Sequence, residues 1–421
     1  MERYSEYKDS GVQWLGEIPN HWEFCRFKNI ASLITTPSNS SHKIGLENIE
    51  SGTGRYLLSE SEFEGNGIQF EVGDIVYGKL RPYLQKVWKA TFSGNAVGDF
   101  FVFRPNYKID RNYLLYLMLS KGFTDDVNSS TYGAKMPRVS SDYIMTMRCG
   151  IPPLPEQQSI ATYLDADTGK IDKAIAQQQK MIDLLNERKQ IIINQAVTKG
   201  LNLDVSMKDS GMEWIGQIPK HWEQLPLKYV FEIRNGYTPS KNDKSYWTNG
   251  TIPWYRMEDI RKSGRILNES IQYVTHKAVN GKGLFKAGSY IMAICTASIG
   301  EHAMLIADSL ANQRFANFNI RKSLVEDFDP MFLFYFMYVI GDFCRNNSNS
   351  TCFQYVDMEA LKRFPILKPS KEEQKCIVAY LDKGLKKLNT ALEQTKARIA
   401  LLQERKQIII NEVVTGKVRV S

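Results

Sequence analysis

The chain has 421 residues, 43% of them hydrophobic, and 54 lysines and arginines against 46 aspartates and glutamates, for a net charge of +8. This supplies apolar material for two or three globular domains and suits an anionic partner without demanding one. Six cysteines without CxxC spacing and without a histidine at ligand spacing exclude a thiolate metal site and read as incidental thiols of a reducing, cytoplasmic setting.

Membranes and secretion are expected to play no part. The N-terminus, MERYSEYKDSG, has no basic region followed by an apolar one. The most apolar run, PMFLFYFMYVI from Pro330 to Ile340, is about half the ~20 residues that cross a bilayer and is predicted to be a core helix.

In chain order, residues 9–23 read DSGVQWLGEIPNHWE, a segment too rich in Gly and Pro for a long helix, in which Trp14 and Trp22 are predicted to pin the chain onto a core. Short β-branched runs bounded by glycine follow, at Val72 to Leu80 and Ala96 to Pro105, and predict strands; Tyr113 to Ser120 predicts a helix. A helix from about Glu156 to Thr198 would run ~65 Å. Gly169 is placed to bend it or to separate a short leading helix.

All of this is then written again. DSGMEWIGQIPKHWE (residues 209–223) repeats the lead-in segment with Trp214 and Trp222, 200 positions on. Ala287 to Gly300 and Phe315 to Lys322 repeat the strand pattern, and Pro330 to Phe343 the helix. KEEQKCIVAYLD (371–382) answers PEQQSIATYLD (155–165), and ERKQIIIN at 187–194 recurs letter for letter at 404–411, 217 positions on. The 217 shift also aligns Asn95 with Asn312, Arg104 with Arg321 and Val139 with Val356, while Gly73 and Gly288 are 215 apart and the lead-in segments 200, so most of the extra length of the second half is expected between His221 and Gly288. The predicted divisions are a first domain at 1–155, a spacer helix at 156–200, a second domain at 201–370 and a second helix at 371–421.

Read as heptads, the two helices share one apolar seam. Its a and d positions include Leu164, Ile171, Ile175, Ile182, Leu185 and Ile192 in the first copy and Leu381, Leu388, Leu392, Ile399, Leu402 and Ile409 in the second. Polar residues break it at matching levels, Gln178/Thr395 and Lys189/Lys406, a pattern that fixes register. The two helices are expected to pair with each other.

Catalytic constellations are missing. There is no GxxxxGK[ST] loop, GTGR at Gly52 to Arg55 being too short, and no GxSxG elbow or HExxH. IPPLP at Ile151 to Pro155 has the wrong neighbours for the Asn/Asp-Pro-Pro-aromatic tetrapeptide of amino-methyltransferases. No catalytic, metal or cofactor residue is assigned.

Basic and aromatic residues are interleaved in the two domains, a pattern that can present cations to phosphates and guanidinium planes to base edges. The candidates are Lys79, Arg81, Tyr83, Lys86, Asn95, Arg104, Lys135 and Arg138 in the first domain. In the second they are Arg234, Tyr237, Lys241, Arg256, Ser298, Asn312, Arg314 and Gln354. Each could equally be a solvated surface group.

The duplicated DSGxxWxGxIPxHWE, the PLPEQQxIxxYLD segment and the ERKQxIIN helices together resemble the specificity subunit of type I restriction–modification systems. The second copy departs from the pattern only in having KPSKEEQ where the first has PLPEQQ. The resemblance implies a mixed α/β (α+β) fold with two target-recognition domains, each reading one half of a bipartite double-stranded DNA target, and an antiparallel coiled coil with a pseudo-twofold internal repeat. It further implies two methyltransferase subunits and restriction subunits as partners, with S-adenosylmethionine, ATP and Mg on those partners and none in this chain. The competing reading is a scaffold whose repeated domains bind other proteins.

Overall fold

The computed structural model describes residues 2–39, 42–59, 63–202, 204–212, 215–349 and 355–420. Trp214 and Gln354 lie outside these residues. The chain forms two compact units, Met1–Met181 with Thr395–Ser421, and Ile182–Gln394. Each holds one globular domain and a stretch of both long helices.

In the first unit the lead-in segment folds into a hairpin, Tyr7–Asp9 against Glu17–Pro19. The Asp9 carboxylate accepts the Gly11 N–H at 2.9 Å, and Gly11 is left-handed at φ +64, a conformation glycine takes without strain. The domain's main sheet is antiparallel, in the order Ala31–Ile34, Phe100–Pro105, Ile75–Gly78, Val87–Lys89. Ile75 to Gly78 are all buried, as a continuous apolar run bounded by turns requires. Helix Arg111–Leu119 starts at Asp110, whose side chain accepts the N–H groups of Asn112 and Tyr113. A second, four-stranded sheet carries Pro37–Ser38, Gly67–Phe70, Gly94–Ala96 and Lys43–Ile44.

The second unit repeats the plan. Its main sheet runs Phe231–Asn235, Phe315–Ile320, Tyr290–Ala293, His302–Leu305, with Ile266–Leu267 added in parallel at the edge. The predicted core helix is Pro330–Asn346, capped by Asp329, and Phe332 to Gly341 are buried without a break, so the apolar run packs within the domain. Among the described residues no helix is long and apolar enough to cross a membrane.

Strand registers correct one alignment. Phe100 lies opposite Gly78 and Phe315 opposite Ala293, so in the sheets the two domains are offset by 215. Arg104 therefore corresponds to Asn319 rather than Arg321, and Asn95 to Leu310 rather than Asn312. Of the 17 additional residues of the second half, 15 fall between the strands ending at Asn235 and beginning at Tyr290, inside the predicted interval.

Both long helices are continuous, Leu154–Lys199 and Lys371–Val414, and neither Gly169 nor Gly384 breaks them. A pair of side chains at the head of each explains the repeated Glu-Gln. Glu156 is bonded by the Tyr4 hydroxyl at 2.6 Å and the Trp22 indole N–H at 3.0 Å, with His21 Nε2 2.8 Å away. Gln157 is 1% exposed; it accepts the Asp110 N–H and donates to the Lys108 and Pro152 carbonyls. In the second unit Glu373 meets His221 and Trp222, and Gln374 takes the Asp329 N–H and donates to the Asp327 and Pro369 carbonyls.

Seam positions of both helices are buried in each unit. In the first unit Leu164 and Ile171 of the first helix and Ile409 of the second are buried. The helices run antiparallel: the Tyr113 hydroxyl donates to Gly150, just before the first helix starts, and to Val414, where the second ends. Further from that end Lys406, 6% exposed, places its ammonium 2.8 Å and 3.0 Å from the two oxygens of Asp172, which also accepts from Arg55 at 2.7 Å. In the second unit Leu381 and Leu392 are buried, and Lys189 meets Asn389 at 3.0 Å. Asn389 stands 217 positions after Asp172, so one contact is built twice, once with a carboxylate and once with an amide.

Asp172→Ala leaves a buried ammonium with no carboxylate and is expected to destabilise the first unit by ~3 kcal/mol. Asp172→Asn copies the other half and should cost clearly less, as denaturant unfolding of the two variants will read.

Candidate nucleic-acid interface

Each domain gathers loops at one end of its main sheet. In the first unit the chain leaves Gly78 and turns through residues 79–85 before returning along Val87–Lys89. The Lys79 N–H donates to the Asp99 carbonyl at 2.9 Å, the Arg81 N–H to Pro137 at 2.8 Å, and the Val139 N–H to Lys79 at 3.2 Å. These bonds join three segments far apart in sequence: 79–85, the turn before Phe100, and 131–139.

Charge is concentrated at this junction. Arg138 binds Asp99 through two bonds, Nε to Oδ1 at 3.0 Å and Nη2 to Oδ2 at 2.8 Å, and Lys79 Nζ stands 3.8 Å from the same carboxylate. The bonds from Arg138 hold the Asp99 carboxyl below its ordinary pKa against the opposing effect of burial. The carboxylate thus stays charged and locks the orientation of two cations. Arg81 and Lys135 are exposed beside them, and Tyr83 is 52% exposed. Three cations with one carboxylate, plus Lys135 on the adjoining turn, make a positively charged rim.

The other candidates of this domain are engaged elsewhere. Lys86 donates to the carbonyls of Leu46 at 2.7 Å and Ile49 at 2.6 Å, and burial lowers its pKa. Asn95 lies in the second sheet at 0% exposure. Arg104 makes two 2.9 Å bonds to Asp74, itself 2% exposed, and reaches Glu71 at 3.1 Å.

In the second unit the corresponding end is formed by the residues after Asn235, after Ala293 and before Phe315. Tyr237 N–H donates to Ala311 at 2.9 Å, Thr238 hydrogen-bonds Gln313, and Ile294 N–H donates to Arg314 at 2.9 Å. Asn312 N–H donates to Tyr255 at 3.1 Å and so brings Arg256 alongside. Tyr237, Arg256, Ser298, Asn312 and Arg314 therefore meet at one end, Arg314 exposed and Arg256 half-buried with its Nε 3.5 Å from Glu258. The Tyr237 hydroxyl is anchored, donating to Ala278 and accepting from Asn280 N–H. Arg234 is turned away onto the Phe285 ring at 4.7 Å and donates to Lys282. Lys241 is exposed on the loop that follows.

Sequence reasoning missed Asp99, whose role follows only from the meeting of three distant segments. It also left Glu156 and Glu373 unconnected to His21 and His221, although all four repeat. Among the described residues no group of three His, Cys, Asp or Glu side chains could hold a metal ion.

The family model described as "Type I restriction modification DNA specificity domain" matches residues 64–182 and 219–401. The chain is 44% identical over 168 residues to the type I restriction enzyme EcoprrI specificity subunit of Escherichia coli, covering 38% of this chain and 42% of that one. It is 27% identical over 330 residues to the MjaVIII specificity subunit of Methanocaldococcus jannaschii, covering 75% and 72%. A solved chain of a type I R-M system assembly superposes with a TM-score of 0.68 at 16% identity, covering 95% of this chain and 99% of that one, which shows a common fold.

Arg104→Ala should act on stability, at ~3 kcal/mol, because it strips the counter-charge from the buried Asp74. Lys135→Ala, which touches only solvent-facing surface, should leave the unfolding midpoint unchanged while weakening DNA binding. Thermal melts and DNA titrations of the two variants separate these roles.

Proposed function

The chain belongs to the type I restriction–modification DNA specificity family, and we propose from that premise that its two units read the two halves of a bipartite duplex target. The observation that carries this reading is the loop end built twice. In each domain the segment after Gly78 or Ala293 meets the segment before Phe100 or Phe315 through the same bond, Lys79 N–H to Asp99 and Ile294 N–H to Arg314, but with different side chains, as two unlike half-sites would need. The rim of Lys79, Arg138 and Lys135 supplies phosphate contacts in the first unit, and Arg314, Arg256 and Lys241 in the second.

The long helices set the spacing between the half-sites. Chemistry is left to partners: methyltransferase subunits bring S-adenosylmethionine, and restriction subunits bring ATP and Mg, in the cytoplasm where the DNA is. One feature supports two copies of the same partner. In ERKQIIIN the seam uses the lysine and second isoleucine, while glutamine and asparagine hold the domain: Gln190 and Asn194 bond Asp342, and Asn411 accepts the Gly122 N–H. Glu187, Arg188 and Ile191 do neither and are exposed, as are Glu404, Arg405 and Ile408, with Leu184 and Leu401 one turn before. A solvent-facing strip kept identical in both copies suits two identical docking surfaces.

Binding by the chain with its methyltransferase subunits should fall steeply with salt, the logarithm of affinity dropping by ~0.9 per phosphate neutralised for each decade of salt. Selection from random duplex DNA should return two unlike half-sites around an unread gap; a single unsplit motif would refute the reading. Inserting one heptad at the same level of both long helices preserves the seam, adds ~10 Å, and should widen the gap by about three base pairs with both half-sites unchanged.

A further inference from the structure

The two domains share a hairpin loop whose backbone is preserved while its sequence is not. Residues 79–85 read KLRPYLQ and residues 294–300 read ICTASIG, equal in length and without one identical position. The framing bonds coincide. Gly78 N–H donates to Lys86 and Ala293 N–H to Glu301, both at 2.8 Å. Leu84 N–H donates to Arg81 at 2.9 Å and Ile299 N–H to Thr296 at 3.2 Å. Val139 N–H donates to Lys79 at 3.2 Å and Val356 N–H to Ile294 at 3.1 Å.

The third and seventh residues of both loops are left-handed: Arg81 at φ +50 and Gln85 at φ +48, Thr296 at φ +67 and Gly300 at φ +81. At the seventh position the turn needs the conformation, and glycine supplies it in one copy. At the third neither copy uses glycine, and threonine, being β-branched, is the more strained occupant. A side chain is therefore retained there in both domains at a cost in backbone strain. Gln85 has structural work, its amide donating to Leu119 and Thr124. Among the described residues neither the Arg81 guanidinium nor the Thr296 hydroxyl has a hydrogen-bond or ion-pair partner. Arg81 is exposed beside Lys79 and Arg138, which Asp99 holds in place.

Building on the DNA-reading function proposed above, we infer that Arg81 and Thr296 are the equivalent base-reading residues of the two half-sites. Arg81 takes the O6 and N7 acceptors of a guanine in the major groove. Thr296 offers only a hydroxyl and a methyl, the groups that meet a thymine methyl or a single acceptor. A phosphate contact would not require a fixed, strained backbone, because phosphates surround the groove and a flexible cation reaches them. The first half-site thus contains a guanine at the position where the second has none enforced.

The test uses the full chain with its methyltransferase subunits and a random duplex library. Arg81→Gly keeps the left-handed backbone without strain, so folding is preserved; Arg81→Thr installs the other domain's residue. Both are expected to lose preference for G·C at one base pair of one half-site by about tenfold or more, with the other half-site and the salt slope unchanged. Arg81→Gly weakening all sequences alike with a shallower salt slope would make Arg81 a phosphate contact and overturn the inference. Retention of both half-sites by Arg81→Gly would overturn it too. If the unsubstituted complex selects no bipartite sequence, the DNA-reading proposal itself fails, and this assignment falls with it.

Discussion

The structure depends on a glutamate and a glutamine at the head of each long helix. Glu156 receives the Tyr4 hydroxyl and the Trp22 indole, which ties the lead-in segment to the helix. Gln157, buried next to it, receives the N–H of Asp110, which caps the domain helix Arg111–Leu119. Adjacent residues on a helix point about 100° apart, so one pair reaches two different elements. In the second unit burial would raise the Glu373 carboxyl, but bonds from His221, Trp222 and the Ser370 N–H hold it below its ordinary pKa. A buried amide with all three of its bonds made is costly to replace, since any substitute leaves backbone groups unpaired. The head of the helix is thereby fixed to its domain from two sides.

Fixing the helix to the domain lets the remainder of each domain vary. The strand ends, the caps and the seam are specified by residues that repeat, and the loops at the sheet end are held by backbone bonds that do not depend on which side chain is present. Asp99 then orders Arg138 and Lys79 in the first domain, and nothing of that cluster is copied in the second. Side chains displayed at the sheet end can therefore differ between the domains without disturbing these backbone bonds.

Much of this was legible in the primary structure. The heptad seam, the continuous long helices, the apolar core helix and the strands were all anticipated, because hydrophobic periodicity is a local property. Bending at Gly169 was allowed for and does not occur: packing of the helix on its partner outweighs the ~1 kcal/mol that a glycine costs. The offset of 217 that aligned Asn95 with Asn312 and Arg104 with Arg321 fails inside the sheets, where the offset is the 215 that separates Gly73 from Gly288, since loops between the sheet and the long helix absorb the other two residues. Arg104, Lys86 and Asn95 looked like any other polar residue in a strand-rich region. Only their partners, Asp74, the Leu46 and Ile49 carbonyls and the interior of the second sheet, distinguish them from the exposed Arg81 and Lys135.

By itself the sequence determined the duplication, the pairing of two long helices and the absence of a catalytic motif, because repetition and period can be read without coordinates. Tertiary structure decided which cations face outward, since that depends on which carboxylates and carbonyls fold next to them from distant segments. It also decided the equivalence of Arg81 and Thr296, whose loops share no residue. Backbone hydrogen bonds and left-handed φ angles define that equivalence, and both can persist after every side chain of a loop has changed.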